Sequence, residues 1–156
     1  MIVVAFGSNL GNRHTAIRAA ADKVAALLTA FKLSTIAETQ PVGNGLENDP
    51  PYLNAVGVGE SSLSPRELLE ALLAIEAAAG RTRPHQGAPR TLDLDLILVG
   101  DQVVDEPGLQ VPHPRFRERL FVLEPLAALA PDLIDPVTGL TIGDLLRTVQ
   151  EKRPGR

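Results

Sequence analysis

Two aspartates, Asp93 and Asp95, lie in the run Thr91-Leu92-Asp93-Leu94-Asp95-Leu96-Ile97-Leu98-Val99, which reads as a β-strand. Side chains alternate across a strand, so the two carboxylates share one face with Ile97 and Val99, while Leu92, Leu94, Leu96 and Leu98 share the other. Both faces are largely apolar, which predicts a strand in the middle of a covered sheet, a place to which Asp is poorly suited. Same-face carboxylates two residues apart have Cα atoms roughly 6.5 to 7 Å apart. Their oxygens can lean onto two divalent cations about 3.5 to 4 Å apart. Taken alone, the pair fits equally well a strand whose first half shows Asp to water.

The neighbourhood adds cations. Arg81, Arg83 and Arg90 fall within the ten residues 81–90, a basic loop leading directly into the Asp strand, and His113 and Arg119 follow downstream. By itself such a charge run is usually a solvated loop. Carboxylates that hold magnesium, surrounded by Arg that can fork onto phosphate oxygens, are the parts phosphoryl transfer needs. That chemistry is mostly positioning and charge neutralisation, so a nucleotide enzyme without a Walker loop is physically allowed.

The elements that must position these residues are legible as follows. Residues 2–6 read as a buried strand, and Gly7-Ser8-Asn9-Leu10-Gly11-Asn12 as a tight turn that fits neither common phosphate-loop pattern. Asn12 caps a helix predicted through about residue 31, with Ile17, Ala20, Ala21, Val24, Leu27, Leu28 and Phe31 on its apolar stripe. Strands are predicted over 33–39 and 51–59, joined by a breaker-rich stretch over 40–50 that is a candidate lid. Ser64-Pro65-Arg66-Glu67 combines a capping box with Pro at the first helical position and opens a helix ending at Gly80. Leu68, Leu72, Ile75 and Ala79 form its core stripe, with Glu76 at the border.

After the Asp strand come a short strand over 102–104 and the segment Val111-Pro112-His113-Pro114. Phe116 to Ala130 is helical in pattern, with Pro125 expected to break or kink it. Thr141 to Lys152 reads as a short helix, and the tail over 152–156 as disordered. The order strand, helix, strand, strand, helix, strand is the split βαβ arrangement of an α+β ferredoxin-like sandwich. We therefore expect an antiparallel sheet covered by two helices, with a C-terminal β-strand and helical extension, all within a single domain over 1–156.

Bulk properties narrow the function. The 156 residues suffice for a proper core. There is no Cys, which excludes disulfides and thiolate zinc sites. A net charge of −4 and an aromatic fraction of 3% argue against a nucleic-acid surface. No membrane partner is expected either, and the absence of a basic leader before Gly7 points to the cytoplasm.

These residues resemble the 6-hydroxymethyl-7,8-dihydropterin pyrophosphokinase family. The likeness runs through Gly7-Ser8-Asn9-Leu10-Gly11, Tyr52-Leu53-Asn54, Ile75-Glu76 with Gly80-Arg81, Pro89-Arg90-Thr91-Leu92-Asp93-Leu94-Asp95, and Val111-Pro112-His113-Pro114. The resemblance implies transfer of the terminal diphosphate of ATP to the hydroxymethyl group of the pterin, with release of AMP, in folate biosynthesis. It implies that Asp93 and Asp95 bind two magnesium ions bridging the ATP phosphates, assisted by Arg81 and Arg90. Leu69, Glu76, Arg83, His113 and Arg119 match nucleotide positions. Thr39, Val42, Gly43, Tyr52, Asn54 and Phe121 match the pterin pocket. The expected partners are these two small molecules, bound to a monomer.

The chain departs from the family near Gly87, where an aromatic cap is missing, and at Leu73 and Pro114. These changes are expected to alter affinity more than reaction type. Without the family, Tyr52 and Phe121 could be core, His113 a turn residue, Asn54 a partner for backbone, and Glu76 with Arg81 a helix-end pair. The rival reading from another class is a non-catalytic ferredoxin-like binding module. A metal-dependent nuclease on the same acids is disfavoured by the acidic, aromatic-poor composition.

Overall fold

The computed structural model describes residues 1–9, 12–39, 52–80 and 92–152. The predicted lid over 40–50, the basic loop over 81–90 and the tail over 153–156 lie outside the described residues. So do Val42, Gly43, Arg81, Arg83 and Arg90.

The first strand, β1, spans Ile2–Ser8 and carries the strand pattern through Gly7 and Ser8, which the sequence suggested as turn. Helix α1 follows at Arg13–Ala25, with the Asn12 side chain accepting the Thr15 N–H at 3.1 Å as the expected cap. It stops well short of residue 31. Ala30 takes a left-handed φ of 52°, and Phe31 belongs to β2, Thr29–Leu33. Its ring lies over Gly57, where a Cβ would stand 2.6 Å from Phe31 Cε1. Phe31 is therefore a strand residue facing the same core as the helix stripe, which is why its spacing imitated a helix.

The predicted strand over 33–39 is two pieces, β2 and β3, Ala37–Thr39. Ser34 separates them by mimicking a strand residue: its N–H donates to Val56 C=O at 2.8 Å and its Oγ accepts the Val56 N–H at 2.9 Å. Strand β4 covers Tyr52–Glu60 and helix α2 Pro65–Gly80. The capping box is reciprocal, with Ser64 Oγ accepting the Glu67 N–H at 3.1 Å and Glu67 Oε1 the Ser64 N–H at 2.9 Å.

Strand β5, Leu92–Val99, completes an antiparallel sheet of order β2-β4-β1-β5, with β3 also paired to β4. This is the ferredoxin-like order, but among the described residues β5 is an edge strand rather than the central one its apolar faces suggested. One of its faces is covered throughout, whereas the other is covered only at Ile97 and Leu98, Asp93 being exposed and Asp95 half-buried. Its strict alternation also fails, because Val3 pairs with Leu98 and Val4 with Leu96, leaving Ile97 as an extra, bulged residue. Leu92, Leu94, Leu96 and Val99 consequently face one core, and Ile97 and Leu98 the other.

The first core is capped by α1 and α2 through Ile17, Val24, Leu68 and Leu72. The second lies beneath the C-terminal extension, which adds a third layer. A hairpin of β6, Val104–Glu106, and β7, Leu109–Val111, replaces the single strand expected over 102–104. The predicted helix over 116–130 is divided into a 3-10 helix at Phe116–Glu118 and α3 at Leu120–Leu129. The break falls at Arg119, and Pro125 is carried inside α3. Helix α4 spans Ile142–Glu151, capped by Thr141 Oγ1, with Lys152 closing its last turn. No helix among the described residues is long and apolar enough to cross a membrane.

Candidate active site

Cross-strand pairing brings the acid pair and three of the predicted pterin residues, Thr39, Tyr52 and Asn54, onto one face. Asp93 on β5 pairs with Gly7 on β1, and Gly7 with Asn54 on β4, while Asp95 pairs with Ala5 and Ala5 with Val56. Directly paired residues share a face, so Asp93, Gly7 and Asn54 form a row beyond the end of the second core at Ala5 and Val56. Gly7 adds no side chain to this row; a Cβ there would lie 3.4 Å from Asn54 Oδ1 and 3.9 Å from Tyr52 Cδ1. Asn54 is buried, and its Nδ2 donates to Thr39 Oγ1 at 2.6 Å, with Thr39 paired to Tyr52 in the ladder. Phe121, at the start of α3, is 39% exposed, which removes the possibility that it is merely core.

The other side of the acid pair is the edge of β5 that pairs with no strand among the described residues, and its outward backbone groups hold two further predicted residues. Glu76 on α2 accepts the Leu94 N–H at 2.6 Å, between the two aspartates. His113 donates its N–H to Ile97 C=O at 2.9 Å. A cleft of about 720 Å³ opens along this edge, lined by Leu69, Asp95, His113 and Pro114 and by the β6–β7 hairpin residues Asp105 and Gln110. The hairpin was missed in the sequence, although Glu106-Pro107-Gly108 is a turn signal, and Gly108 takes φ 77° there.

Arg119 links the two sides. Its Nη1 lies 3.8 Å from Asp95 Oδ2, and its guanidinium 5.6 Å from the Phe121 ring centroid. Burial lowers the His113 pKa, and Arg119 and Arg115 reinforce the effect against the pull of Asp95. The imidazole is therefore neutral at pH 7. Its Nδ1 accepts the Arg115 N–H at 3.2 Å, which assigns the remaining proton to Nε2, a donor. Burial raises the Glu76 carboxyl, opposed by the Leu94 N–H and assisted by Asp93 and Asp95.

An α+β sandwich whose sheet end joins a carboxylate pair, a paired arginine and a neutral histidine to an edge cleft has the equipment of a phosphoryl-transfer enzyme. Comparison with known proteins specifies the class. The family model for 7,8-dihydro-6-hydroxymethylpterin-pyrophosphokinase (HPPK) matches residues 3–131. The 2-amino-4-hydroxy-6-hydroxymethyldihydropteridine pyrophosphokinase of Pseudomonas aeruginosa is 42% identical over 134 residues, covering 85% of this chain and 82% of that protein. The Bacillus subtilis protein of the same name is 44% identical over 128 residues, covering 81% and 75%. The folic acid synthesis protein fol1 of Pneumocystis carinii is 36% identical across 95% of this chain, which spans only 20% of that longer protein. A crystal structure of a triple mutant of Plasmodium falciparum HPPK-DHPS has the same fold, with a TM-score of 0.71 at 14% identity, covering 94% of this chain and 42% of that one. The chain belongs to the HPPK family.

Proposed function

We propose that this chain, as one domain, transfers the β,γ-diphosphate of ATP to the hydroxymethyl group of 6-hydroxymethyl-7,8-dihydropterin, giving AMP and the dihydropterin diphosphate in folate biosynthesis. The observation that carries the reading is the row Asp93, Gly7, Asn54 on one face, with a cleft along the adjoining strand edge. Pterin is assigned to the face and ATP to the edge, so that Asp93 and Asp95 stand where the two substrates would meet.

A triphosphate and two carboxylates repel one another, so their approach requires intervening cations. Among the described residues no cluster of three or more His, Cys, Asp or Glu could hold a metal alone. A pair of oxygen donors whose remaining ligands come from water and phosphate is the donor set that suits magnesium. Asp93 and Asp95 fit two such ions, which when bound neutralise phosphate charge and make the β-phosphorus more open to attack.

The protein's own part is placement. Arg119 and the Nε2–H of His113 hold phosphate oxygens, Leu69 packs against the nucleoside, and Glu76 stands beside the nucleotide. Asn54 and Thr39 read the polar edge of the pterin while Tyr52 and Phe121 supply flat contact. Arg81, Arg83, Arg90, Val42 and Gly43 take their roles from the family pattern. We assign the enzyme to the cytoplasm and to a monomer.

The test is incubation with ATP, magnesium and the reduced pterin. AMP release that depends on the pterin supports the reading; none supports a non-catalytic binding module.

A further inference from the structure

Among the described residues outside this site, one carboxylate is wholly withdrawn from water: Asp135, in the connection between α3 and α4, is 0% exposed. It accepts from Arg117 Nε at 2.5 Å and Nη2 at 2.9 Å, from Thr138 Oγ1 at 2.7 Å and from the Val137 N–H at 3.1 Å. The Arg117 guanidinium also lies 4.8 Å from the ring centroid of Phe116, itself fully buried. A two-pronged guanidinium contact admits one orientation, whereas its net contribution to stability is small compared with an apolar pair of the same size. The middle of the 3-10 helix is thereby fixed in rotation.

Arg119 stands two residues further on. At this C-cap position the backbone turns extended, with φ −105° and ψ 103°, while the Arg119 N–H still donates to Phe116 C=O at 3.2 Å, so the orientation of the 3-10 helix is handed on to Arg119, whose guanidinium reaches toward Asp95 at 3.8 Å. The segment's ends are tied as well. The His113 N–H is held by Ile97 C=O at 2.9 Å, and Arg119 C=O accepts the Val122 and Leu123 N–H groups at 3.0 and 2.9 Å, which starts α3.

We infer that Arg117 and Asp135 are positioning residues for the nucleotide half of the site: their buried fork sets the rotation of the 3-10 helix and so aims Arg119 at the phosphates. This rests on the reading of Arg119 as a phosphate-holding residue.

The experiment measures affinity for α,β-methylene-ATP with magnesium, affinity for the pterin, and thermal stability, in the full chain at a temperature where each variant is folded. The variants are Arg117→Lys, which keeps the charge but cannot fork, Arg119→Ala, and the two combined. Arg117→Lys should weaken nucleotide binding about fivefold, leave pterin affinity within about twofold, and add nothing in the Arg119→Ala background. An equal penalty in both backgrounds, a parallel loss of both affinities, or a drop in stability with both affinities intact overturns the inference. Arg119→Ala separates the two failures: an unchanged nucleotide affinity there contradicts the phosphate role of Arg119 itself. Asp135→Asn approaches the same contact from the other side and, read by the same criteria, decides between these outcomes if Arg117→Lys does not fold.

Discussion

The Glu76 carboxylate accepts the Leu94 N–H at 2.6 Å, clasping the outer edge of β5 at the residue between Asp93 and Asp95. An edge N–H outside the strand ladder is thereby satisfied, and the two aspartates are held in register from the side on which β5 has no neighbouring strand among the described residues. Glu76→Ala removes the acceptor and should lower kcat/KM about 10- to 100-fold, whereas Glu76→Gln, which keeps an acceptor oxygen, should lose less. Steady-state AMP release checks this; equal losses for Ala and Gln would show that the clasp is irrelevant.

Stability should respond in the opposite sense. The Glu76 pKa is raised, chiefly by burial, so the folded state binds its proton more tightly than the unfolded chain. Its ionised form then costs stability above the ordinary carboxylate range, and that cost fades as the pH falls through the raised value. Glu76→Gln should raise Tm by about 1 to 3 °C at pH 8 and by less at pH 5. Melting curves at the two pH values provide the comparison.

Asp135 has the reverse sign. Burial pushes its carboxyl up, but hydrogen bonds from Arg117, Thr138 and Val137 outweigh this and hold the pKa below the usual range. The stabilisation is present above the unfolded value near 4 and is lost as pH falls through the lower folded value. Asp135→Asn should cost about 2 to 3 kcal/mol at pH 7, the figure for breaking a buried pair reduced because Arg117 keeps part of its side chain in water. Urea unfolding at pH 7 and pH 3 should show the gap between wild type and variant closing in acid.

Gly7 lies between Asp93 and Asn54 in the row that we assign to the pterin. An added methyl meets Asn54 Oδ1 at 3.4 Å, an ordinary contact, so Gly7→Ala should fold normally. A β-branched residue suits a strand but would stand on the shared face. Gly7→Val should therefore keep its Tm within a few degrees while weakening pterin binding about tenfold or more. Unchanged pterin affinity in Gly7→Val would remove this row from the pocket.

Much of the fold was legible because local signals and packing agreed. Ser64 and Glu67 cap each other as their spacing predicts, and Asn12 caps α1. The failures have tertiary causes. Phe31 keeps a helical spacing because it faces the same core from β2, over a glycine that makes room for its ring. Ile97 bulges against β1, which moves Val99 to the opposite face. The edge position of β5 was hidden because one face and the Ile97–Leu98 half of the other are covered, and apolar composition reports covered faces rather than hydrogen-bonded edges.

For the candidate site the sequence offers residue types but not their organisation. That Asp93 and Asn54 share a row depends on strand register across Gly7, and that Glu76 reaches Leu94 depends on how α2 lies against the edge. The Arg117 to Asp135 contact spans 18 residues and has no periodic or motif signal.

The central claim is that Asp93 and Asp95 together hold the cations on which diphosphate transfer depends. The most direct measurement is single-turnover AMP formation with saturating ATP, magnesium and pterin for Asp95→Ala beside the wild type, with folding verified in both. A fall on the order of a thousandfold is the predicted result. Turnover within a few-fold of wild type would contradict it.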